Sequence, residues 1–190
     1  MKRIKAKTFI TIASMLLLCS CFYSCEKIHT RKYVDLALPS GTLWAESNIG
    51  AKSPEEFGEY FCFFDLFYED NPTWNGTGAT PTLENWEELI AHCSGEWTSL
   101  NGVNGYRFTG SNGNSIFLPA AGCGDTLYSP GYQDKGCYWS STENTSHFEM
   151  TTYLFFFCFS QDGAAIDTAG LKAGPEFSVR PVRSGKSKFF

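Results

Sequence analysis

The sequence predicts an α+β domain, and three observations carry that reading. Leu83, Trp86, Leu89, Ile90 and Cys93 recur at helical spacing after Thr82, a residue that caps helices. Short strand-like phrases separated by turn residues follow that helix: Ile116-Phe117-Leu118-Pro119-Ala120-Ala121-Gly122, Tyr138-Trp139-Ser140-Ser141-Thr142 and Ser178-Val179-Arg180-Pro181-Val182-Arg183. The run Tyr153-Leu154-Phe155-Phe156-Phe157-Cys158-Phe159 is apolar at both parities, as expected of a strand covered on both faces.

The elements follow in chain order. Tyr33-Val34-Asp35-Leu36 and Thr42-Leu43-Trp44-Ala45 read as strands about the turn Pro39-Ser40-Gly41. Ser53-Pro54-Glu55-Glu56 has the pattern of a capping box with Pro at the first helical position, and Gly58 ends that helical turn. Tyr60 to Phe67 is aromatic and reads as extended and buried, whereas Glu69 to Thr80 is a loop rich in Asn-Pro, Asn-Gly and Thr-Gly pairs. In the helix from Leu83 to about Cys93, Trp86, Leu89 and Ile90 are expected against the sheet. Glu84, Glu87, Glu88 and His92 fall mostly on a solvated face and do not form an acid/base pair. Val103–Thr109 and Asn114–Leu118 flank Ser111-Asn112-Gly113, a turn signal that favours positive φ. Gln161-Asp162-Gly163-Ala164 makes the turn after the aromatic strand. Phe177 to Arg183 closes the domain as one strand, with Pro181 implying an edge or a bulge.

The first 20 residues read as a signal peptide. Lys2, Arg3, Lys5 and Lys7 form a basic start, and the apolar stretch Thr8–Leu18 is too short to span a bilayer. Leu18-Cys19-Ser20-Cys21 matches a lipoprotein signal with Cys21 as the lipid-bearing residue; Cys25 is the alternative. Two or more acyl chains there would hold the protein on a membrane stably. The expected organisation is therefore signal peptide 1–20, polar tether 21–32, domain 33–184 and tail 185–190. The expected location is the cell envelope, as an outer-membrane lipoprotein facing the periplasm or the exterior.

The net charge of −5, without a basic patch outside the tails, argues against a nucleic-acid partner. His29, His92 and His147 are scattered, so neither a metal site nor a cofactor is read. Of the eight cysteines, Cys62, Cys93, Cys123, Cys137 and Cys158 lie in the domain. An exported chain permits disulfides; Cys123 and Cys137 bracket a loop and are one available pair, and unpaired thiols are the other reading. Gly102, Gly105, Gly110 and Gly113 lack the spacing and the strand-to-helix context of a phosphate loop.

Residues 33–183 resemble the major paralogous (FISUMP-type) domains of exported bacterial lipoproteins. The resemblance rests on Tyr33-Val34-Asp35-Leu36-Ala37-Leu38-Pro39-Ser40-Gly41-Thr42-Leu43-Trp44-Ala45, Pro81-Thr82-Leu83-Glu84-Asn85-Trp86-Glu87-Glu88-Leu89 and the three strand phrases above. More distantly, Thr82–Glu87, Tyr138–Ser141 and Val179–Arg183 are similar to landmarks of the formylglycine-generating-enzyme branch of C-type-lectin-like folds. That likeness implies a C-type-lectin-like twisted antiparallel sheet, one or two flanking helices and long loops. The calcium motifs of sugar-binding C-type lectins are missing, since Ser140-Ser141 follow Trp139. Cys158 sits in an apolar strand, where a thiol is expected to be inert, so no catalytic residue is assigned.

The function expected is non-enzymatic recognition of a protein or glycan ligand by a lipid-anchored domain. Ser141, Glu143, Asn144 and His147 are the candidate recognition residues, in loops expected at 140–149 and 161–174. A structural or assembly component of the envelope is the alternative, and a formylglycine-generating-type enzyme is a third reading.

Overall fold

The computed structural model describes residues 31–66, 78–122, 134–144, 153–170 and 176–185. The signal peptide, Cys21, Cys25, Cys123 and His147 lie outside these residues. The fold is α+β and rich in strand, as the sequence predicts. Three sheets are arranged around one α-helix within the described residues. The first sheet orders its strands β1 (Tyr33–Asp35), β2 (Thr42–Ala45) and β11 (Val182–Ser184). It thereby pairs the beginning of the domain with its end. The second sheet has the order β3-β10-β7-β8-β9, formed by Tyr60–Phe61, Phe177–Ser178, Lys135–Asn144, Tyr153–Ser160 and Gly163–Gly170. The third is the meander β4 (Ser94–Leu100), β5 (Val103–Thr109) and β6 (Ser115–Pro119).

The helix α1 spans Leu83–His92 and begins as expected at Thr82. Thr82 Oγ1 accepts from the Asn85 N–H, and Asn85 Oδ1 accepts in return from the Thr82 N–H at 3.0 Å. Two orphan donors are satisfied by that exchange. Trp86 and Leu89 are fully buried, but Ile90 is 41% exposed, which corrects the expected burial of all three. The helix buries a narrow stripe through Trp86, Leu89 and Cys93, and Ile90 falls one position outside it. Glu88 is not a purely solvated side chain either. Its carboxylate accepts from the Ser40 N–H (2.7 Å) and the Ser40 hydroxyl (2.6 Å), tying the helix to the β1–β2 turn.

β7 and β8 carry the core on both faces of the large sheet, because alternate side chains point to opposite sides. Tyr138, Phe157 and Phe159 face a cluster holding Trp44, Trp86, Leu89, Phe108 and Leu118. Cys137, Trp139 and Leu154 face a second cluster with Phe61, Phe177 and Val179. In the first cluster, Trp86 stacks on Phe157 at 4.7 Å and 15° and meets Trp44 at 4.7 Å. Trp86 Nε1 donates to the Trp139 carbonyl (3.2 Å), and Trp139 Nε1 donates to the Phe61 carbonyl (2.6 Å). β8 is central, between β7 and β9, as its sequence predicts.

Several expected boundaries shift. Tyr60 to Phe67 is not one extended run: β3 lasts two residues, and Phe63–Leu66 forms a 310 helix. The Asp65 carboxylate accepts from the Cys62 N–H (2.8 Å), which closes that helix locally instead of extending the strand. The Ser53–Glu56 segment makes a single turn, in which Glu56 accepts from Lys52 rather than from Ser53. Phe177 to Arg183 is not one strand. It is β10 and β11 in two different sheets, broken across Val179–Pro181, where Pro181 has no N–H for a ladder. β4 is an additional strand, joined to β5 by Asn101-Gly102 with φ of 50° and 82°. Positive φ at both turn residues defines the tight hairpin turn that suits twisted strands. Cys137 pairs with Cys158 across β7 and β8, not with Cys123, and Cys158 is accordingly a disulfide half and not an inert thiol. Long-range strand register sets that pairing, and a sequence does not display it.

Candidate functional site

Two surfaces answer to the sequence expectation of a recognition site. The first holds the expected residues. β7 continues through Asn144, so Ser141, Glu143 and Asn144 belong to a strand and not to a loop. β9 likewise occupies most of the expected loop at 161–174. The β7–β8 register slips between Trp139 and Glu143, where three residues of β7 lie opposite one of β8. The slip turns Ser141 and Thr142 toward the start of α1. The Ser141 N–H donates to the Pro81 carbonyl at 2.8 Å, and Thr142 Oγ1 accepts from the Leu83 N–H at 2.9 Å. The Ser141 hydroxyl also donates to the Thr80 and Pro81 carbonyls at 3.4 and 3.3 Å. Ser141 is therefore a mooring point for the helix. Glu143 is exposed opposite Leu154, and Asn144 is half-buried opposite Tyr153. His147 lies outside the described residues, so the structure brings three of the four together, along one strand.

The second surface takes Gln161 and Asp162 from the expected loop at 161–174 and adds residues that the sequence did not point to. It is a depression of about 370 Å³ lined by Trp97, Asn104, Asp134, Lys135, Ser160, Gln161 and Asp162. Its construction follows from the strands. Trp97 lies directly opposite Tyr106 in the β4–β5 ladder, and Asn104 is two residues from Tyr106, so all three share one face of the hairpin. That face packs on the end of β8: Trp97 meets Phe159 edge-on at 6.3 Å, and Tyr106 lies 5.5 Å from the same ring. Beyond Phe159 the apolar layer stops. Lys135 and Ser160 form the last pair of the β7–β8 ladder, and Gln161-Asp162 turns the chain into β9. The Ser160 hydroxyl oxygen accepts from the Asp162 N–H at 3.1 Å and orders that turn. Asp134, Gln161 and Asp162 are exposed, and Trp97 is half-buried. The depression thus combines one aromatic wall with amide, hydroxyl, carboxylate and ammonium groups.

A third constellation is polar and wholly internal. Arg180 is fully buried between Val179 and Pro181. Its Nε donates to Asn48 Oδ1 (2.8 Å), its Nη1 to the Ala45 (3.2 Å) and Glu46 (2.6 Å) carbonyls, and its Nη2 to the Phe117 carbonyl (2.8 Å). Asn48 also donates to Tyr138 Oη (3.2 Å), and the Tyr138 hydroxyl donates to the Pro119 carbonyl (2.8 Å). Burial pulls the Arg180 guanidinium down to about 10 and pushes the Tyr138 phenol up to about 12. At neutral pH the pair is a cation and a neutral phenol. With acceptors in Ala45–Asn48 and at Phe117 in β6, Arg180 joins its own segment to two distant ones and is closed to any ligand. It is a structural pin.

Among the described residues no three His, Cys, Asp or Glu side chains converge to hold a metal ion. β4 would have been legible from Trp97-Thr98-Ser99-Leu100 before Asn101-Gly102 and Val103. The depression itself needs residues 97, 104, 134–135 and 160–162 brought together by tertiary packing. A scan against protein-family models found no match, and neither the curated proteins nor the solved structures searched contain a significant one.

Proposed function

We propose that this chain is an exported, lipid-anchored recognition module of the cell envelope with a C-type-lectin-like fold. The observation that carries the reading is the depression beside Trp97. An aromatic wall and convergent polar groups, set on paired strand ends, make the kind of concavity that binds ligands. Strand pairing holds the lining in place, so little ordering is needed on binding. The fold assignment is supported by sheets that are antiparallel except where β10 runs parallel to β7, and by one flanking α-helix among the described residues. Export is supported by the Cys137–Cys158 disulfide, since such bonds persist in oxidising compartments. Attachment rests on Leu18-Cys19-Ser20-Cys21. Cys21→Ser is expected to abolish fatty-acid labelling of the chain; labelling that persists in this variant and disappears only in Cys25→Ser moves the anchor. Recognition is tested by amide exchange of the full chain with and without solubilised envelope material. Slower exchange at the rim of the depression is expected, and unchanged exchange throughout the domain would remove the recognition reading.

A further inference from the structure

We infer that the depression is a saccharide site, in which a neutral sugar ring lies against Trp97 while its hydroxyls are bound by Asn104, Gln161 and the two carboxylates Asp134 and Asp162. The inference rests on the recognition reading above and adds the chemical class of the ligand. It follows from the lining taken as a set.

An indole face is apolar and carries the negative side of the ring quadrupole. It suits a surface made of C–H groups with a slight positive charge, which is what one face of a pyranose presents. Here the edge-on contact with Phe159 at 6.3 Å holds the indole in place. The residues that line the depression carry groups of every hydrogen-bonding type. The Asn104 and Gln161 amides and the Ser160 hydroxyl both donate and accept. Asp134 and Asp162 accept, and Lys135 donates. A sugar hydroxyl is itself both donor and acceptor, so a polyol can be matched at each of these positions.

Charge separates this ligand from the other classes. Two carboxylates disfavour a phosphate or sulfate, while the Lys135 ammonium on the same lining disfavours a site built for a cation. The volume, about 370 Å³, is near the lower end of the range for ligand pockets, roughly 300–1,000 Å³. It fits a short saccharide end rather than a folded protein surface.

The test is calorimetric titration of the full-length protein in detergent with neutral tetrasaccharides (maltotetraose, cellotetraose, mannotetraose and chitotetraose) and with tetra-arginine as the cationic probe. At least one saccharide is expected to bind, and tetra-arginine is not. Trp97→Ala and the double variant Gln161→Ala/Asp162→Ala should each weaken that saccharide by about tenfold or more, the loss of about 1.4 kcal/mol of contact, while Trp97→Tyr keeps most of the affinity. Trp97 packs on Phe159, so Trp97→Ala can loosen the hairpin; the turn variant changes two exposed side chains and keeps the test valid. Absence of binding by all four sugars overturns the inference, as does binding that neither variant weakens. Binding of tetra-arginine alone makes the site a cation site. Rim protection by envelope material without saccharide binding would leave recognition standing and remove the sugar.

Discussion

Arg180→Met is expected to leave the domain unfolded or close to it. The side chain is fully buried, and its four acceptors are three main-chain carbonyls and the Asn48 amide oxygen. Replacing a buried ion pair by apolar side chains can be neutral, because both partners go. That escape is closed here, since main-chain carbonyls cannot be removed. Each buried acceptor left without a donor costs about 1–3 kcal/mol. Several together approach the entire stability of a domain, typically about 5–15 kcal/mol. Arg180→Lys should recover part of the loss only, because an ammonium is a point donor where a planar fork is needed. Urea unfolding followed by circular dichroism reads both variants. A loss under about 1 kcal/mol for Arg180→Met would show that water replaces the guanidinium and that the pin is dispensable.

Trp86→Ala should cost about 3–5 kcal/mol, the range for truncating a large buried aromatic. Trp86 is wholly inaccessible, stacked on Phe157 and in contact with Trp44, and it supplies the N–H that the Trp139 carbonyl accepts. Truncation opens a cavity between helix and sheet and removes that hydrogen bond. Ile90→Ala, one helical step away and 41% exposed, is the internal control and should cost well under half as much. Equal losses at the two positions would mean that the helix lies on the sheet in another phase.

The contrast between Trp86 and Ile90 also shows what a sequence discloses. Helical spacing located α1, and Thr82 located its start, because both signals are local. The same spacing did not separate Ile90 from its neighbours, since the width of the buried stripe depends on what the helix packs against. The aromatic run 153–159 identified itself as a central strand through its apolar residues at both parities. Arg180 stood in plain view between Val179 and Pro181, but its acceptors are 63 to 135 residues away in the chain. The disulfide partner of Cys158 and the lining of the Trp97 depression were hidden for the same reason. The polar neighbourhood of Ser141 in the sequence suggests a loop. A bulge in β7 instead turns it to the helix start, where it holds main-chain carbonyls.

On the proposed function, recognition belongs to the rim formed by the β4–β5 hairpin and the β8–β9 turn, while the β7 end is scaffold. Hydrogen–deuterium exchange of the full chain, read by mass spectrometry with and without solubilised envelope material, tests it directly. The expected result is slower exchange in peptides covering Trp97–Asn104 and Ser160–Gly163, with Ser141–Asn144 unchanged. Protection confined to Ser141–Asn144, with the rim unaffected, would contradict it and return recognition to the residues that the sequence first suggested.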